Sequence, residues 1–241
     1  MRYGIFSDIH GNLQAFTAVM AQLGQENIDA FLCVGDVVGY GANPQECIEL
    51  LLSLKAPGVA GNHDWGVVGK TDIAYFNPAA QKAVHWTREH ILIQGADYLK
   101  ELKLIYQNDD LELVHGLLPH PELFGYLTKI DQAIEMFPFL ENTICFVGHT
   151  HVPKIFVQQG DKVYESASLE IDIENVHKYI INVGSAGQPR DGNPLAAYCV
   201  YDTERKTVSI KRVPYNIKEA QKRILAAGLP VFLANRLAWG Q

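Results

Sequence analysis

The first quarter of the chain alternates short apolar runs with a segment of helical periodicity. Residues 2–7 and 29–35 are apolar runs that end in polar or glycine residues, which is typical of strands. Between them, residues 12–22 place apolar side chains at helical spacing, so the region predicts a strand–helix–strand unit. A second helix is predicted over 44–54, because an asparagine that can cap it precedes a proline suited to its first turn. A third, short strand is predicted at 58–60.

Beyond about residue 110 the hydrophobic pattern becomes mostly that of strands. One helix, near 129–136, interrupts it. A closing helix is predicted to begin at Asn216, with Glu219 as its capping-box partner and Gly228 as its stop. The predicted strands in this half are 111–114, 143–147, 154–158, 162–166, 179–183, 196–201 and 207–213.

The organisation of the chain points to one layered α/β domain over residues 1–241. No proline- or serine-rich linker separates its halves, and 241 residues are enough to bury a sizeable core. Residues from about 65 to 102 are predicted as a helical insertion beside the main sheet, with a helix starting at Asn77-Pro78. The C-terminal helix is expected at about 216–227.

Composition and charge narrow the class of protein. Hydrophobic residues make up 48% and charged residues 20%, which is ordinary for a globular domain and unlike a disordered chain. The net charge of −7, without a lysine/arginine cluster, disfavours nonspecific binding of nucleic acid. No apolar run approaches the ~18 residues of a membrane span, and Asp8 precedes any signal-like stretch. We therefore expect a cytoplasmic protein with no membrane partner; the oligomeric state is left open.

Potential metal-binding side chains follow five of the apolar runs. Ligands bind at the carboxyl ends of strands in open α/β sheets. Because a strand alternates sides with period two, both ends of an Asp-x-His or His-x-His motif can face one ion. Each motif alone is commonly a turn or a surface pair, but all five in this order predict a metal site. The segments are Asp8-Ile9-His10, Gly35-Asp36, Gly61-Asn62-His63-Asp64, Val114-His115-Gly116 and Gly148-His149-Thr150-His151.

The number of donors indicates more than one ion. One ion takes about four to six ligands, so two ions that share a carboxylate fit seven donors better. Nitrogen and oxygen donors without thiolate favour Mn, Fe, Zn or Ni over Ca²⁺ or Mg²⁺. The four cysteines form no C-x-x-C pair and are expected to be buried, reduced thiols. The seven candidate donors are Asp8, His10, Asp36, Asn62, His115, His149 and His151.

The order of these motifs, D-x-H, G-D, G-N-H-D, H and G-H-x-H, resembles that of the calcineurin-like metallophosphoesterases. The likeness spans residues 8–151, with further similarity at 182–190, and is nearest to small bacterial phosphoesterases related to protein Ser/Thr phosphatases and diadenosine-tetraphosphate hydrolases. It implies an α/β fold with two packed mixed β-sheets in a four-layer α-β-β-α sandwich. It also implies a ligand set for each of two ions. Asp8, His10 and His151 would hold one ion, Asn62, His115 and His149 the other, and Asp36 would bridge them.

The resemblance implies an activity as well. It is hydrolysis of phosphate mono- or diesters by in-line attack of a metal-bridging hydroxide. His63 would contact the phosphoryl group together with Asn62 and assist the leaving group, which is worth ~10²–10⁴ in rate for a positioned proton donor. Asp64 is expected to hold the tautomer of His63 by a hydrogen bond. The substrate implied by the resemblance would be a phosphorylated small molecule, a nucleotide or a phosphoprotein.

One departure from the pattern concerns the loop after Gly35-Asp36. Protein Ser/Thr phosphatases and the symmetrical diadenosine-tetraphosphate hydrolases have an arginine shortly after G-D, whereas residues 35–41 contain none. We hypothesise that Arg190 supplies the positive charge instead; the alternative is a solvated arginine paired with Asp191. Tyr40, in the same loop, is a candidate for substrate contact, with solvent exposure or core packing as its alternatives.

Two other functions are compatible with the scaffold. A noncatalytic protein-binding scaffold on the same fold is the main alternative, but such proteins typically lose the catalytic histidine or metal ligands, and all of these are present here. A dinuclear amide-bond hydrolase is separable from a phosphoesterase by testing amides against phosphate esters.

Overall fold

The computed structural model describes residues 1–241 and contains two β-sheets. The strands are β1 (Arg2–Phe6), β2 (Ala30–Cys33), β3 (Ile105–Gln107), β4 (Glu112–Val114), β5 (Ile144–Val147), β6 (Lys154–Gln159), β7 (Lys162–Glu165), β8 (Glu170–Asp172), β9 (Lys178–Asn182), β10 (Ala196–Asp202) and β11 (Thr207–Val213). The first sheet has the order β2-β1-β10-β11-β8 and the second β3-β4-β5-β9-β6-β7. Both sheets are mixed, because β1–β2 and β4-β5-β9 pair in parallel while the other pairs are antiparallel.

Eight α-helices accompany the sheets. They are α1 (Leu13–Leu23), α2 (Pro44–Ser53), α3 (Asn62–Val67), α4 (Pro78–His90), α5 (Ile93–Glu101), α6 (Ile130–Met136), α7 (Ile217–Ala226) and α8 (Val231–Asn235). Asparagine side chains cap α1, α4 and α7 by accepting a backbone N–H of the first turn. None of the helices has the length and apolar character that crossing a membrane requires.

The strands alternate between two cores, and this places the sheets face to face. On β5, Ile144 and Phe146 join the apolar cluster between the sheets, whereas Cys145 and Val147 pack toward α6. On β1, Ile5 faces the other sheet, while the next residue packs against Phe16 of α1. The layers are therefore helix, sheet, sheet, helix, which confirms the predicted four-layer architecture.

The structure departs from the predicted elements at a few positions. Residues 58–60 form only isolated bridges, to Cys33 on one side and Lys103 on the other, so the predicted strand is absent. Strands β3 and β8 were not predicted; each has only three residues, and most of their side chains are exposed. The stretch predicted as a helical insertion contains α4 and α5. All four cysteines are free and buried, as expected.

Candidate active site

The five motif segments meet at one end of the sheets. The loops after β1 and β2 run side by side, since the amides of Asp8 and His10 donate to the carbonyls of Gly35 and Asp36 at 3.0 Å each. The loops after β4 and β5 are joined by the amide of Gly148, which donates to the carbonyl of His115. Backbone bonds thus bring together donors that are far apart in the sequence.

The backbone at five of the candidate donors has left-handed dihedral angles. Asp8, His10, Asp36, His149 and His151 have φ values of 53°, 51°, 54°, 67° and 61°. Non-glycine residues adopt this region rarely, because the Cβ atom crowds the backbone there. Strain of this kind persists where the surrounding structure fixes it, and it clusters at functional sites.

Backbone carbonyls set the tautomer of three site histidines. In each, the Nδ1 atom lies within hydrogen-bond distance of a carbonyl oxygen, which can only accept, so Nδ1 carries the proton. The Nε2 atoms are left with free lone pairs, the arrangement typical of metal-binding imidazoles. The pairs are His10 with Val38 at 3.0 Å, His115 with Val34 at 2.7 Å and His151 with Gln188 at 2.6 Å.

The buried polar atoms of the site lack the partners they need. The Nε2 atoms of His10 and His151 lie 3.0 Å apart, although both are acceptors in the neutral form. Asp8 Oδ1, Asn62 Oδ1 and His115 Nε2 are buried without any hydrogen-bond partner. Orphaned buried acceptors are destabilising unless something positive satisfies them. The donor set therefore fits metal ions.

Asp36 lies in the middle of the donor set. Its Oδ2 atom is 3.3 Å from His115 Nε2 and 3.6 Å from His10 Nε2, while Oδ1 accepts the amide of His63 at 2.8 Å. Ligand atoms within 4.8 Å of one another form the groups Asp8–His10–His151, Asp36–His115–His149 and His10–Asp36–His63.

The local environment favours the protonation state that binds metal at four of the candidate donors, but not at His115. Burial raises the pKa of Asp8 and Asp36, but the histidines around them outweigh burial and hold both pKa values well below the usual range. Burial lowers the pKa of His149 to about 3 and that of His151 to about 4. Burial also opposes charge on His115, but the Asp36 carboxylate raises its pKa to about 9. An ion bound by His115 must therefore displace a proton.

The predicted hydrogen bond between His63 and the carboxylate of Asp64 is not formed. That carboxylate instead accepts four backbone amides, and His63 Nδ1 is buried without a partner. The Asp64 carboxylate thereby fixes the loop that carries Asp36. Burial, reinforced by the charge of Asp36, raises the pKa of Asp64 to about 7. The amides are those of Asp36, Val37, Val38 and Gly61, at 2.8, 2.9, 3.2 and 3.0 Å.

His63 lies beside the donors at the start of α3. Its ring centroid is 4.8 Å from that of His10 and 4.4 Å from that of Tyr40. Burial lowers the pKa of His63 well below its usual value, so the neutral imidazole is favoured. Gly39 permits this approach, because a Cβ atom there would lie 2.4 Å from His63 Nδ1.

Arg190 and Tyr40, the two further candidates for substrate contact, line the same cleft as His63. The guanidinium carbon is 5.5 Å from the Tyr40 ring centroid. Arg190 Nε and Nη2 both donate to Gln188 Oε1, at 3.2 and 2.8 Å. The alternative pairing of Arg190 with Asp191 is not formed, because Asp191 pairs with Arg212.

Residues 182–190 hold the loops of the site in place through hydrogen bonds that the motifs alone did not indicate. Asn182 Nδ2 donates to the carbonyl of Gly148 at 2.7 Å, which fixes the loop before His149. Ser185 Oγ donates to the carbonyl of Asp8 at 2.8 Å. Gln188 contacts both His151 and Arg190, so it positions a candidate metal donor and an arginine of the cleft together. The similarity of this segment to the family was the one sequence signal for these roles.

The comparison with protein families identifies the chain. Residues 1–206 match the calcineurin-like phosphoesterase superfamily domain. The chain belongs to this superfamily. The family expected from the motif order is thereby confirmed, and this calcineurin-like protein is a metal-dependent phosphoesterase.

Relatives match this calcineurin-like phosphoesterase over its full length. An uncharacterized protein of Methanocaldococcus jannaschii is 38% identical over 241 residues, covering 98% of this chain and 97% of the relative. A metallophosphoesterase from Sphaerobacter thermophilus has 37% identity and a TM-score of 0.87, covering 100% of this chain and 99% of its own. A protein of Pyrococcus horikoshii, 20% identical with a TM-score of 0.81 and coverage of 100% and 98%, shares the fold.

Gly61 offers a test of how tightly this calcineurin-like site is packed. A Cβ atom at Gly61 would lie 2.0 Å from Asp36 Oδ1, although the φ of −93° suits any residue. We expect Gly61→Ala to displace Asp36, to lower bound metal and to reduce kcat/KM by roughly 10²-fold, since small misplacements at a site have effects of this size.

Gly24→Ala is the matched control for this test. Its Cβ atom would meet the backbone at an ordinary 3.4 Å, and its φ is −60°. We expect it to keep wild-type metal content by elemental analysis and wild-type rate. Unchanged metal content and rate in Gly61→Ala would show that Asp36 does not depend on this contact.

Proposed function

We propose that this phosphoesterase holds two divalent transition-metal ions and uses them to hydrolyse phosphate mono- or diesters. The observation that carries the proposal is that Asp36 Oδ2 lies close to ligand atoms of both sets, 3.3 Å from His115 Nε2 and 3.6 Å from His10 Nε2. Asp8, His10 and His151 would hold one ion, and Asn62, His115 and His149 the other, with Asp36 shared. The nitrogen and oxygen donors suit Mn, Fe, Zn or Ni. When bound, such ions activate water and place positive charge opposite the phosphoryl oxygens.

His63 is proposed to act on the substrate rather than on an ion. Burial favours its neutral form, in which one ring nitrogen carries a proton and can donate. From its position beside Asp36, that N–H can donate to a phosphoryl oxygen or to the departing oxygen. Asp64 contributes indirectly, because it holds the Asp36 loop.

Arg190 is proposed to bind the phosphoryl group. Gln188 Oε1 fixes one side of its guanidinium, which leaves other N–H groups free to donate into the cleft. The arginine stands over Tyr40, so its position is defined without an acidic partner. It thereby supplies the positive charge that the loop after Asp36 lacks.

Replacing Arg190 with alanine is expected to raise KM for p-nitrophenyl phosphate by roughly 10-fold, because a charge-assisted hydrogen bond contributes ~1.5–3 kcal/mol. The KM of Arg190→Lys should lie between those of the wild type and Arg190→Ala, since lysine keeps the charge but not the planar guanidinium group. Arg205→Ala, at an arginine exposed to solvent, is the control. If Arg190→Ala leaves both KM and kcat at wild-type values, Arg190 does not contact the substrate.

Reconstitution with single metals tests the proposed function. The protein is stripped of metal, reloaded with Mn²⁺, Fe²⁺, Zn²⁺ or Ni²⁺ separately, and assayed on phosphate monoesters, phosphate diesters and amides. We expect hydrolysis of phosphate esters that returns as two ions bind per chain. Hydrolysis of amides alone would indicate an amidase, and no turnover with any ion would favour a noncatalytic scaffold.

A further inference from the structure

We propose that the cleft above the metal donors binds a flat aromatic ring in the organic part of the substrate, by stacking on Tyr126 and Tyr75. This inference rests on the proposed function and narrows its substrate class. The cleft has a volume of about 780 Å³, and Asp36 and His149 lie in its lining. That is far more than a phosphoryl group fills and lies within the range of sites for whole small molecules. The substrate therefore has a sizeable organic part beside the scissile phosphate.

Aromatic side chains form both walls of this cleft. Trp65, Tyr75 and Phe76 come from the segment that follows the G-N-H-D motif, and Phe124 and Tyr126 come from the loop after β4. Trp65 and Phe124 meet edge to face at a centroid distance of 5.9 Å, which joins the two walls. Walls of this kind bind planar groups well, because aromatic rings stack without demanding a fixed pattern of hydrogen bonds.

Tyr126 links the aromatic walls to the metal donors. Its ring stacks on that of His149 at 3.9 Å with an interplanar angle of 24°. The residue is nevertheless 51% exposed, so His149 covers one part of it and another part stays accessible. A planar group stacked on that accessible part lies directly beside the proposed site of phosphoester hydrolysis.

The packing of the fold does not account for an aromatic side chain at position 75. Tyr75 lies in the lining of the same cleft, yet 91% of its surface is exposed. An aromatic side chain exposed to this degree adds little to the stability of the fold. Because Tyr75 and Tyr126 line the same cleft, both rings are accessible to a ligand bound there.

The charges along the aromatic walls favour an uncharged ring over additional phosphates. Away from the metal donors and Arg190, the charged residues lining the cleft are Lys70, Asp72 and Glu122. Lys70 is already engaged, since its Nζ donates to a backbone carbonyl at 2.6 Å and lies 4.7 Å from the Trp65 ring centroid. Two carboxylates would repel a polyphosphate chain. The class that fits is a phosphoester with one phosphate and a neutral aromatic ring, such as a nucleoside monophosphate.

A pair of substrates isolates the contribution of the ring. Adenosine 5′-monophosphate and ribose 5-phosphate share the same primary phosphate ester and differ in the base. With the metal-loaded protein, we expect kcat/KM for the nucleotide to exceed that for the sugar phosphate by roughly 10-fold or more, which is the scale of base stacking on aromatic side chains. Tyr126→Ala and Tyr75→Ala should each reduce this preference several-fold, whereas Tyr126→Phe and Tyr75→Phe should retain it.

The outcomes separate this inference from the proposed function. Hydrolysis of both substrates with equal kcat/KM, or a preference that survives both alanine substitutions, would overturn the stacking site and leave the phosphoesterase intact. No hydrolysis of any phosphate ester would contradict the proposed function itself. Because Tyr126 contacts His149, metal content is measured in Tyr126→Ala; Tyr75→Ala, at an exposed residue, tests the inference without that complication.

Discussion

Asp36→Asn is expected to lose metal from both proposed sites together and to lower kcat/KM by at least about 10³-fold, the scale of activation that metal ions give. The reason lies in the two oxygens of Asp36. Oδ1 accepts the amide of His63, so an asparagine would place its own oxygen there and turn its NH₂ group toward His10 and His115. An NH₂ group has no lone pair to offer an ion.

Elemental analysis and steady-state kinetics on the same preparation check this result. Asp109→Asn, at an exposed aspartate, is the matched control and should behave as wild type. Loss of one ion with the other retained would mean that Asp36 belongs to a single site. Full metal content at the wild-type rate would remove Asp36 from the metal centre.

His63→Ala is expected to lower kcat by ~10²–10⁴-fold while bound metal stays at the wild-type level, because the proposed role of His63 is toward the substrate. The loss should be larger for alkyl phosphates than for p-nitrophenyl phosphate, whose leaving group needs little protonation. His63→Gln, which keeps an N–H donor, should recover part of the rate.

His85→Ala, at an exposed histidine of α4, serves as the control for His63→Ala. His63 also forms a group of potential ligands with His10 and Asp36, so metal content decides between the two roles. A parallel loss of metal and rate in His63→Ala would make His63 a ligand. An equal loss for alkyl and aryl esters would argue against assistance to the leaving group.

The candidate metal donors could be proposed from the sequence, and the structure brings their side chains together, because their chemistry and their positions are both local features. Asp8 and His10 follow an apolar strand at a spacing of two, and His149 and His151 do the same. Parallel pairing of the strands then brings such ends to one edge of a sheet. The four-layer fold was implied by the family resemblance and agreed with the number of predicted strands.

The role of Asp64 could not be predicted in the same way. It stands next to His63 in the sequence, which suggested a hydrogen bond between them, but its partners are amides of residues 36–38 and 61. Only the three-dimensional approach of the two loops determines that choice. The stacking of Tyr126 on His149 likewise joins two loops, and no pattern in the sequence indicates that these loops are in contact.

The three-residue strands β3 and β8 were not predicted for a different reason. In β8 the side chains are mostly exposed, so the hydrophobic alternation that marks a buried strand is weak. The segment at 58–60 was predicted as a strand but is not one. It is apolar and partly buried, which favours the prediction, but it is too short to form a ladder of hydrogen bonds. Burial and pairing are set by the neighbouring strands in both cases.

The most direct test of the account is a crystal structure of the protein loaded with Mn²⁺, with anomalous scattering used to locate the ions. We expect two anomalous peaks about 3.5–4 Å apart, the usual separation in two-metal sites, with the Asp36 carboxylate between them. A single peak, or none near Asp36 after loading with each transition ion in turn, would contradict the proposed dinuclear centre.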